Sequence, residues 1–337
     1  MVASRRTRPG MNDVARVAGV SHQTVSRVLN DHPNVRDSTR ERVLAAIAEL
    51  GYRRNSAARA LVTHRSGIIG IITSGSVHSG PASTLAVLER TARAAGYFVT
   101  VAAAPHPTPE LMQEIFGSFM DQSVEGVVVI AQGDEVAGAA RAAFAEVPLL
   151  MISSLTPEPD DPPLVSVDQE AGARLVARYL LDQGHRDVVH LAGPEDWFDA
   201  RARVRGWHTE LSEADVAPRP DLTGDWSAGS GYAAGRALLE DLPTAVFAAN
   251  DQMALGVLRA FAEAGVDVPG QISVVGFDDI VGADNFFPPL TTVRQDFEAL
   301  GRLAIDALVA AIGGEAAARE LVAPVLVERT SSGPPRR

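Results

Sequence analysis

Two sets of polar side chains stand out for the chemistry their types and spacing allow. In GVSHQTVSRVLN, residues 19–30, His22, Gln23, Ser26 and Arg27 fall at i, i+1, i+4 and i+5, one side of a helix. Val25, Val28 and Leu29 take the other side. Gln23 can form paired hydrogen bonds with a base edge, Arg27 can grip guanine, and His22 stands at the helix start, where base contacts concentrate. Thr24 and Ser26 carry hydroxyls suited to phosphate oxygens. The second set lies at the ends of apolar runs: Thr73 and Ser74 after GIIGII, Arg201, Arg203 and Arg205 after LAGP, Trp226 in GDWSAGSG, Asn250 and Asp251 after TAVFAA, Asp278 and Asp279 in GFDD. An Arg, an Asn, an Asp and a Trp brought together suit a sugar, since forked polar groups satisfy paired hydroxyls and the indole covers the apolar face of a pyranose. Taken singly, Asp279 equally suits a helix cap, Arg201 and Arg205 the surface, and Trp226 the core.

The first set needs a short helix held by partners. Met11, Val14, Val17 and Ala18 recur at helical spacing and stop at Gly19, Ser21 is placed to cap a second helix, and Ser38 with Glu41 forms a capping box. Val43, Leu44, Ile47 and Leu50 then give a third helix its apolar stripe, ended by Gly51. Helix, Gly-containing turn and helix make the helix-turn-helix arrangement, whose second helix enters the DNA major groove.

The second set needs strand ends. From GIIGIIT onward, apolar runs suited to strands buried on both faces alternate with helical patterns, expected at 83–95, 109–120, 136–145, 169–183, 198–211, 252–264 and 296–312. Such alternation implies doubly wound parallel sheets, and two series joined near residues 160 and 294 imply two lobes with a cleft. Ligands of these sheets sit beyond the carboxyl ends of the strands.

Charge divides the chain in the same way. Residues 1–65 carry twelve Arg against five acids, a net of +7, whereas the remainder carries −19. A basic head on an acidic body is the footprint of a nucleic-acid-binding module joined to something else. The 337 residues contain no cysteine, which excludes disulfides, thiolate nucleophiles and Cys-based zinc sites. No apolar run approaches the length of a membrane span, and no apolar segment follows the basic start as in a signal peptide, so a cytoplasmic location is expected. Without a phosphate loop or a His-Glu metal motif, the conceivable chemistry is a glycosidase-like carboxylate pair of Asp278 with Asp251 or Asp279, and GFDD reads as well as a ligand clamp. A sugar-binding transport receptor would need an export signal and no helix-turn-helix.

DVARVAGVSHQTVSRVLN, followed by TRERVLAAIAELGYRRNSAARAL, resembles the headpiece of the lactose-repressor (LacI) family of transcriptional regulators. The similarity continues through GPEDWFDARARVRGWH, GDWSA, PTAVFAANDQMALG, ISVVGFDD and PPLTTVRQDF to about residue 330. The resemblance implies an α/β protein: an N-terminal three-helix helix-turn-helix domain, and a two-lobed, periplasmic-binding-protein-like body of doubly wound parallel sheets. Its expected parts are a headpiece at 1–54, a hinge helix and linker at 55–66, and an effector-binding and dimerisation domain at 67–337. The N-lobe would take about 67–164 and 295–320, the C-lobe about 165–294 and 321–330. The resemblance also implies that Asn30 and Ala58 join the DNA-contacting set, that Asn55 caps the hinge helix, and that Leu61 wedges into a minor-groove step. In the body it implies that Arg203, Asn250 and Asp278 hold sugar hydroxyls, that Trp226 stacks on the ring, and that Ser74, Gln295 and Phe297 border the ligand. Where it would place an acidic sugar contact and an apolar one, this chain has Ser153 and His78. The acidic, proline-rich TPEPDDPPL beyond Ser153 is placed to reshape the rim.

The expectation is a repressor whose affinity for a palindromic operator is set by a sugar effector. A galactoside-like pyranoside is favoured by Trp226, with a glucoside or a purine corepressor as the alternative within the family. No cofactor is expected, and the partners are operator DNA, the effector and a second copy of the chain. Because no leucine-heptad tail follows residue 330, the assembly expected is a dimer.

Overall fold

The computed structural model describes residues 9–29, 32–52, 65–76, 78–142, 147–158, 161–315 and 319–336. The chain divides into two compact units, Met1–Ser66 and Gly67–Arg337.

In the first unit three helices share a small core. Asp13 reaches back from α1 (Met11–Ala18) to accept the Gly10 N–H at 2.9 Å. That bond, with Arg16 beside it, holds the Asp13 carboxyl below its usual range. α1 stops where Gly19 turns left-handed, a conformation open to a residue without Cβ. Ser21 Oγ accepts the Thr24 N–H at 3.1 Å and caps α2 (His22–Leu29), as its position predicts. α3 (Asp37–Leu50) departs from expectation, because the Ser38–Glu41 capping box does not form. The helix begins two residues earlier, with Arg36 at the N-cap and no side-chain cap, and Asp37 meets the positive end of the helix dipole instead. Val14, Ala15, Ala18, Val25, Val28, Val43, Ala46 and Tyr52 make the core. Val17 (42% exposed) and Leu44 (52%) do not enter it. Each lies about 60–100° around its helix from the buried stripe, too far to reach partners in so small a bundle.

The second unit runs β1 (Ile68–Thr73), α4 (Ser79–Ala94), β2 (Phe98–Ala103), α5 (Pro109–Asp121), β3 (Gly126–Ile130), α6 (Asp134–Ala142), β4 (Leu149–Ile152) and β5 (Leu164–Val167). It continues through α7 (Gln169–Asp182), β6 (Val188–Ala192), α8 (Phe198–Glu213), β7 (Leu222–Thr223), α9 (Ala228–Leu238), β8 (Ala245–Ala248), α10 (Asp251–Glu263) and β9 (Ser273–Val275). The last elements are β10 (Thr292–Arg294), α11 (Phe297–Ile312), β11 (Glu320–Val322) and β12 (Val325–Val327). The expected alternation is therefore present. α4 starts earlier than its pattern suggested, since Pro81 in a first turn removes only an N–H that has no helical partner.

The N-lobe sheet has the order β11-β5-β4-β3-β1-β2 and the C-lobe sheet β7-β6-β8-β9, all pairs parallel. β10 and β12 form a separate antiparallel pair. Two clusters cover the faces of each sheet, so β1, β3, β4, β6 and β8 read as continuous apolar runs. The lobe limits move from those expected. β5 pairs with β4 and with β11 in the N-lobe, so the first crossing comes at Asp168, which caps α7 by accepting the Ala171 N–H at 2.9 Å. β11 also belongs to the N-lobe, and the last crossing follows Val322 rather than residue 320. The reason is that a chain leaves a parallel sheet at a strand's carboxyl end, not where the next apolar run begins. Among the described residues no helix is long and apolar enough to cross a membrane.

Candidate functional site

In the head, α2 presents His22, Gln23 and Arg27 exposed, with Thr24 and Ser26 half-buried beside them. The Thr24 hydroxyl pairs with Ser21 Oγ at 2.9 Å, so it already serves the helix start. Val25 and Val28 hold the opposite face in the core, which fixes the orientation of the polar one. Asn30, Asn55, Ala58 and Leu61 lie outside the described residues.

In the body, the end of β9, the start of α7 and the segment after β10 bring four side chains into a closed network. Arg203 projects inward from α8, buried at 3% exposure, and its Nε donates to Gln169 Oε1 at 3.0 Å. Gln169 Nε2 donates to Gln295 Oε1 at 2.8 Å, and Gln295 Nε2 donates to Asp278 Oδ1 at 2.6 Å. Arg203 Nη2 closes the circuit 3.8 Å from Asp278 Oδ1, while Nη1 donates to the Ala249 carbonyl. The guanidinium also lies over the Phe277 ring at 3.8 Å. Arg201 and Arg205 are absent from the network, because steps of two residues on a helix swing side chains to other sides. They pair instead with Asp134 at 3.0 Å and Glu170 at 3.3 Å.

Burial pushes the Asp278 carboxyl up to about 6 even though Arg203 and Gln295 pull it down. Burial and the Asp278 charge push Asp251 up to about 8, against hydrogen bonds from Thr292 and Ile280. Desolvation lowers the Arg203 guanidinium, opposed chiefly by Asp278. Asp279 faces elsewhere and binds Arg294 and Arg329, each at 2.7 Å, so this second Asp of GFDD ties the β10 segment to the C-terminal segment.

An aromatic wall completes the cleft. Trp226 packs against the backbone of Gly193, where any Cβ would lie 2.1 Å from the indole, and its ring meets Trp197 edge-on at 5.5 Å. Trp197 in turn meets His78 at 5.7 Å across the lobes. Asn250 donates to the Trp226 carbonyl at 3.0 Å and accepts the Met253 N–H at 2.8 Å, so it positions the tryptophan loop as well as capping α10. His78, Trp197, Arg203, Trp226, Asn250, Asp278 and Gln295 surround a narrow central cavity. Ser153, Gln169, Gln295 and Phe297 border an adjoining, equally narrow N-lobe cavity.

Eight of the nine residues expected around an effector thus border these two cavities. Ser74 does not: its hydroxyl accepts the Ser76 N–H at 3.2 Å and closes the turn after β1. Gln169, Trp197 and Asp199 border the cavities without having been expected there. Gln169 follows the end of β5 and so obeys the strand-end rule, but placing β5 in the other lobe hid it. Trp197 and Asp199 stand just ahead of Arg203, masked by the more conspicuous arginines.

Residues 10–55 match the family model described as bacterial regulatory proteins, lacI family, and residues 177–332 match a periplasmic binding protein-like domain. The chain is 38% identical over 326 residues to the lactose operon repressor of Escherichia coli (strain K12), covering 95% of this chain and 89% of that one. It is 32% identical over 329 residues to the ribose operon repressor of the same organism, covering 96% and 99%. A crystal structure of the lac repressor dimer bound to operator and the anti-inducer ONPF superposes with a TM-score of 0.86 at 35% identity, covering 97% of this chain and all of that one.

Proposed function

From the premise that this chain belongs to the lacI family of bacterial regulatory proteins, we propose that it is a DNA-binding transcriptional repressor whose hold on a two-fold operator is released by a pyranoside. The observation that carries the effector half is the buried circuit of Arg203, Gln169, Gln295 and Asp278 opening on an aromatic-walled cavity. A carboxylate and a guanidinium held this way bind paired hydroxyls, and Trp226 covers the apolar face of the ring. Asp278 acts here by accepting hydrogen bonds and not by catalysis, because its buried neighbour Asp251 is already committed to Thr292 and Ile280.

The circuit also supports the coupling. Gln169 stands just after the first crossing between lobes and Gln295 in the second, so a ligand hydroxyl that takes Asp278 from Gln295 acts on both. The effector shifts the operator equilibrium only by its differential affinity for the two lobe arrangements, and a tenfold loss of operator affinity corresponds to about 1.4 kcal/mol. The dimer that a two-fold operator requires is assigned to the free edge of the N-lobe sheet, where β2 exposes Phe98 (71%) and Val101 (48%).

The direct test is selection from random duplex DNA at fixed salt, with and without galactosides, glucosides and purines. A palindrome that one sugar abolishes is expected. Enrichment of nothing, with a sugar still bound, would leave only a receptor. On the selected operator, Gln23→Ala and Arg27→Ala are each expected to relax preference at one base position by about 1–3 kcal/mol. A uniform loss over all sequences would instead make them phosphate contacts.

A pH dependence follows from Asp278. Sugar hydroxyls donate to its ionised form, whose carboxyl sits at about 6, so effector affinity is expected to be level above that pH. Below it, affinity should fall about tenfold per pH unit as protonation competes. Calorimetric titrations near pH 5 and pH 7.5 read this directly, and equal affinities would remove Asp278 from the hydroxyl-binding set.

A further inference from the structure

We propose that Arg329, in the C-terminal segment, is a positioning residue for the effector-binding carboxylate of Asp278 and acts on it through Asp279. This rests on the reading of the central cavity as a pyranose site. The turn that carries Asp278 is strained, with φ of 116° at Asp278 and 51° at Asp279. Left-handed backbone at two consecutive residues with side chains persists only where the surroundings over-determine it. The neighbours of Asp279 are tied by their own N–H groups, Asp278 to the Val293 carbonyl at 2.8 Å and Ile280 to Asp251 Oδ2 at 2.8 Å. The Asp279 N–H has only a long contact, 3.4 Å to Thr292 Oγ1. What holds Asp279 is its side chain.

Two arginines meet that side chain, and they are not equivalent. The Arg294 side chain is 56% exposed, so its bond to Asp279 Oδ2 contributes little. The Arg329 side chain is 17% exposed and donates from Nη2 to Oδ1 of a carboxylate that is itself only 8% exposed. Its Nη1 donates to the Leu290 carbonyl at 2.7 Å, which joins the turn to the segment entering β10. The backbone of Arg329 is pinned in its turn, since the Thr291 hydroxyl accepts its N–H at 2.9 Å and donates to its carbonyl at 3.1 Å. Two residues on, the Ser331 carbonyl accepts the Val274 N–H at 2.8 Å and the Ser331 hydroxyl donates to the Val274 carbonyl at 2.6 Å, fixing the segment alongside β9. The C-terminal segment is thus a firm mount for the guanidinium. Without Arg329 a buried carboxylate loses its counter-charge. Asp279 then turns toward water, and the turn carries Asp278 Oδ1 away from Gln295 Nε2, its partner at 2.6 Å.

The test titrates the full-length protein with methyl β-D-galactopyranoside and methyl β-D-glucopyranoside by calorimetry between pH 5 and pH 8, and follows the one that binds. Arg329→Gln and Asp279→Asn are each expected to weaken the sugar about tenfold or more at pH 7.5, with the double variant no weaker than Arg329→Gln alone, because the pair acts as a unit. Asparagine tolerates left-handed backbone, so backbone preference is not what Asp279→Asn changes. Arg294→Gln is expected to change affinity no more than about threefold. The pH profile separates positioning from loss of fold. The groups facing Asp278 are Arg203 and Asp199 of α8, Asp251 of α10 and Gln295 after β10, and of these Arg203 and Gln295 pull its carboxyl down. In Arg329→Gln the midpoint of the acid-side fall in affinity is therefore expected to move up from about 6, whereas a merely destabilised lobe lowers the competent fraction and leaves the midpoint in place. If Arg329→Gln fails to fold, Asp279→Asn is expected to show the same upward move. Wild-type affinity in both variants, a loss with an unmoved midpoint, or a loss at Arg294→Gln as large as at Arg329→Gln would each overturn the positioning role while the pyranose site stands. Wild-type affinity in Asp278→Asn, or binding of neither sugar by the wild type, would bring down the pyranose site and this inference with it.

Discussion

Replacing Arg203 with alanine is expected to abolish the sugar response while the folded protein still holds its operator. Arg203 is the one cation of the effector circuit, donating to Gln169 and to the Ala249 carbonyl and facing Asp278. Its removal leaves a buried carboxylate without its counter-charge, an event that costs about 3–5 kcal/mol in comparable buried pairs. The expected phenotype therefore has two parts, a less stable C-lobe and a repressor that no sugar releases. The head is a separate compact unit with its own core, which is why DNA binding is expected to persist. Arg203→Lys keeps the charge but loses the fork that reaches three acceptors at once. It is the variant to measure if the alanine protein is too unstable to purify. Operator anisotropy titrations with and without the effector give the result. Release of the lysine variant by sugar at wild-type concentrations would show that the pocket has been misplaced.

Phe98→Asp is expected to convert the protein to monomers and to weaken operator binding by roughly 10²–10⁴-fold, the range set by losing a second linked contact. β2 is an edge strand, with β1 as its neighbour on one side and, among the described residues, none on the other. It exposes a phenylalanine and a valine at the very place where soluble proteins usually carry charge to discourage pairing. A carboxylate there is compatible with the monomer fold, since Phe98 contributes little to the N-lobe core. Sedimentation velocity and operator titration check the two halves together. A variant that stays dimeric would move the interface elsewhere, with exposed Val281 and Phe287 of the C-lobe the next surface to test.

Much of this architecture was legible in the residues, and the exceptions have physical causes. Among the described residues, periodicity located seven of the eight body helices to within a few positions and missed α9 (Ala228–Leu238), whose AGSGYAAGRAL carries too many glycines and small residues to show an apolar stripe. It failed at Val17 and Leu44, where short helices meet so few partners that an apolar residue at the stripe's margin stays in water. The strand-end rule brought Arg203, Trp226, Asn250 and Asp278 together correctly. It missed Gln169 because strand pairing is a long-range property: nothing local in LVSV says that its neighbours are residues 149–152 and 320–322. Ser74 lies apart from the two cavities, its hydroxyl accepting an N–H of the local turn after β1. Asp279 looked like the twin of Asp278, yet one step along the chain commits it to two arginines, Arg294 and Arg329, rather than to the circuit.

The four-membered circuit has a sense of direction. Its three hydrogen bonds all run one way, from the cation through two amides to the anion. The amide dipoles are thereby aligned head to tail along the field between Arg203 and Asp278, and reversing either glutamine would set donor against donor or acceptor against acceptor. Whatever neutralises or recruits the carboxylate removes the reason for that alignment at both glutamines simultaneously. Two of the three chain crossings between the lobes thus carry, in the orientation of two uncharged side chains, a single shared record of whether the cleft is filled.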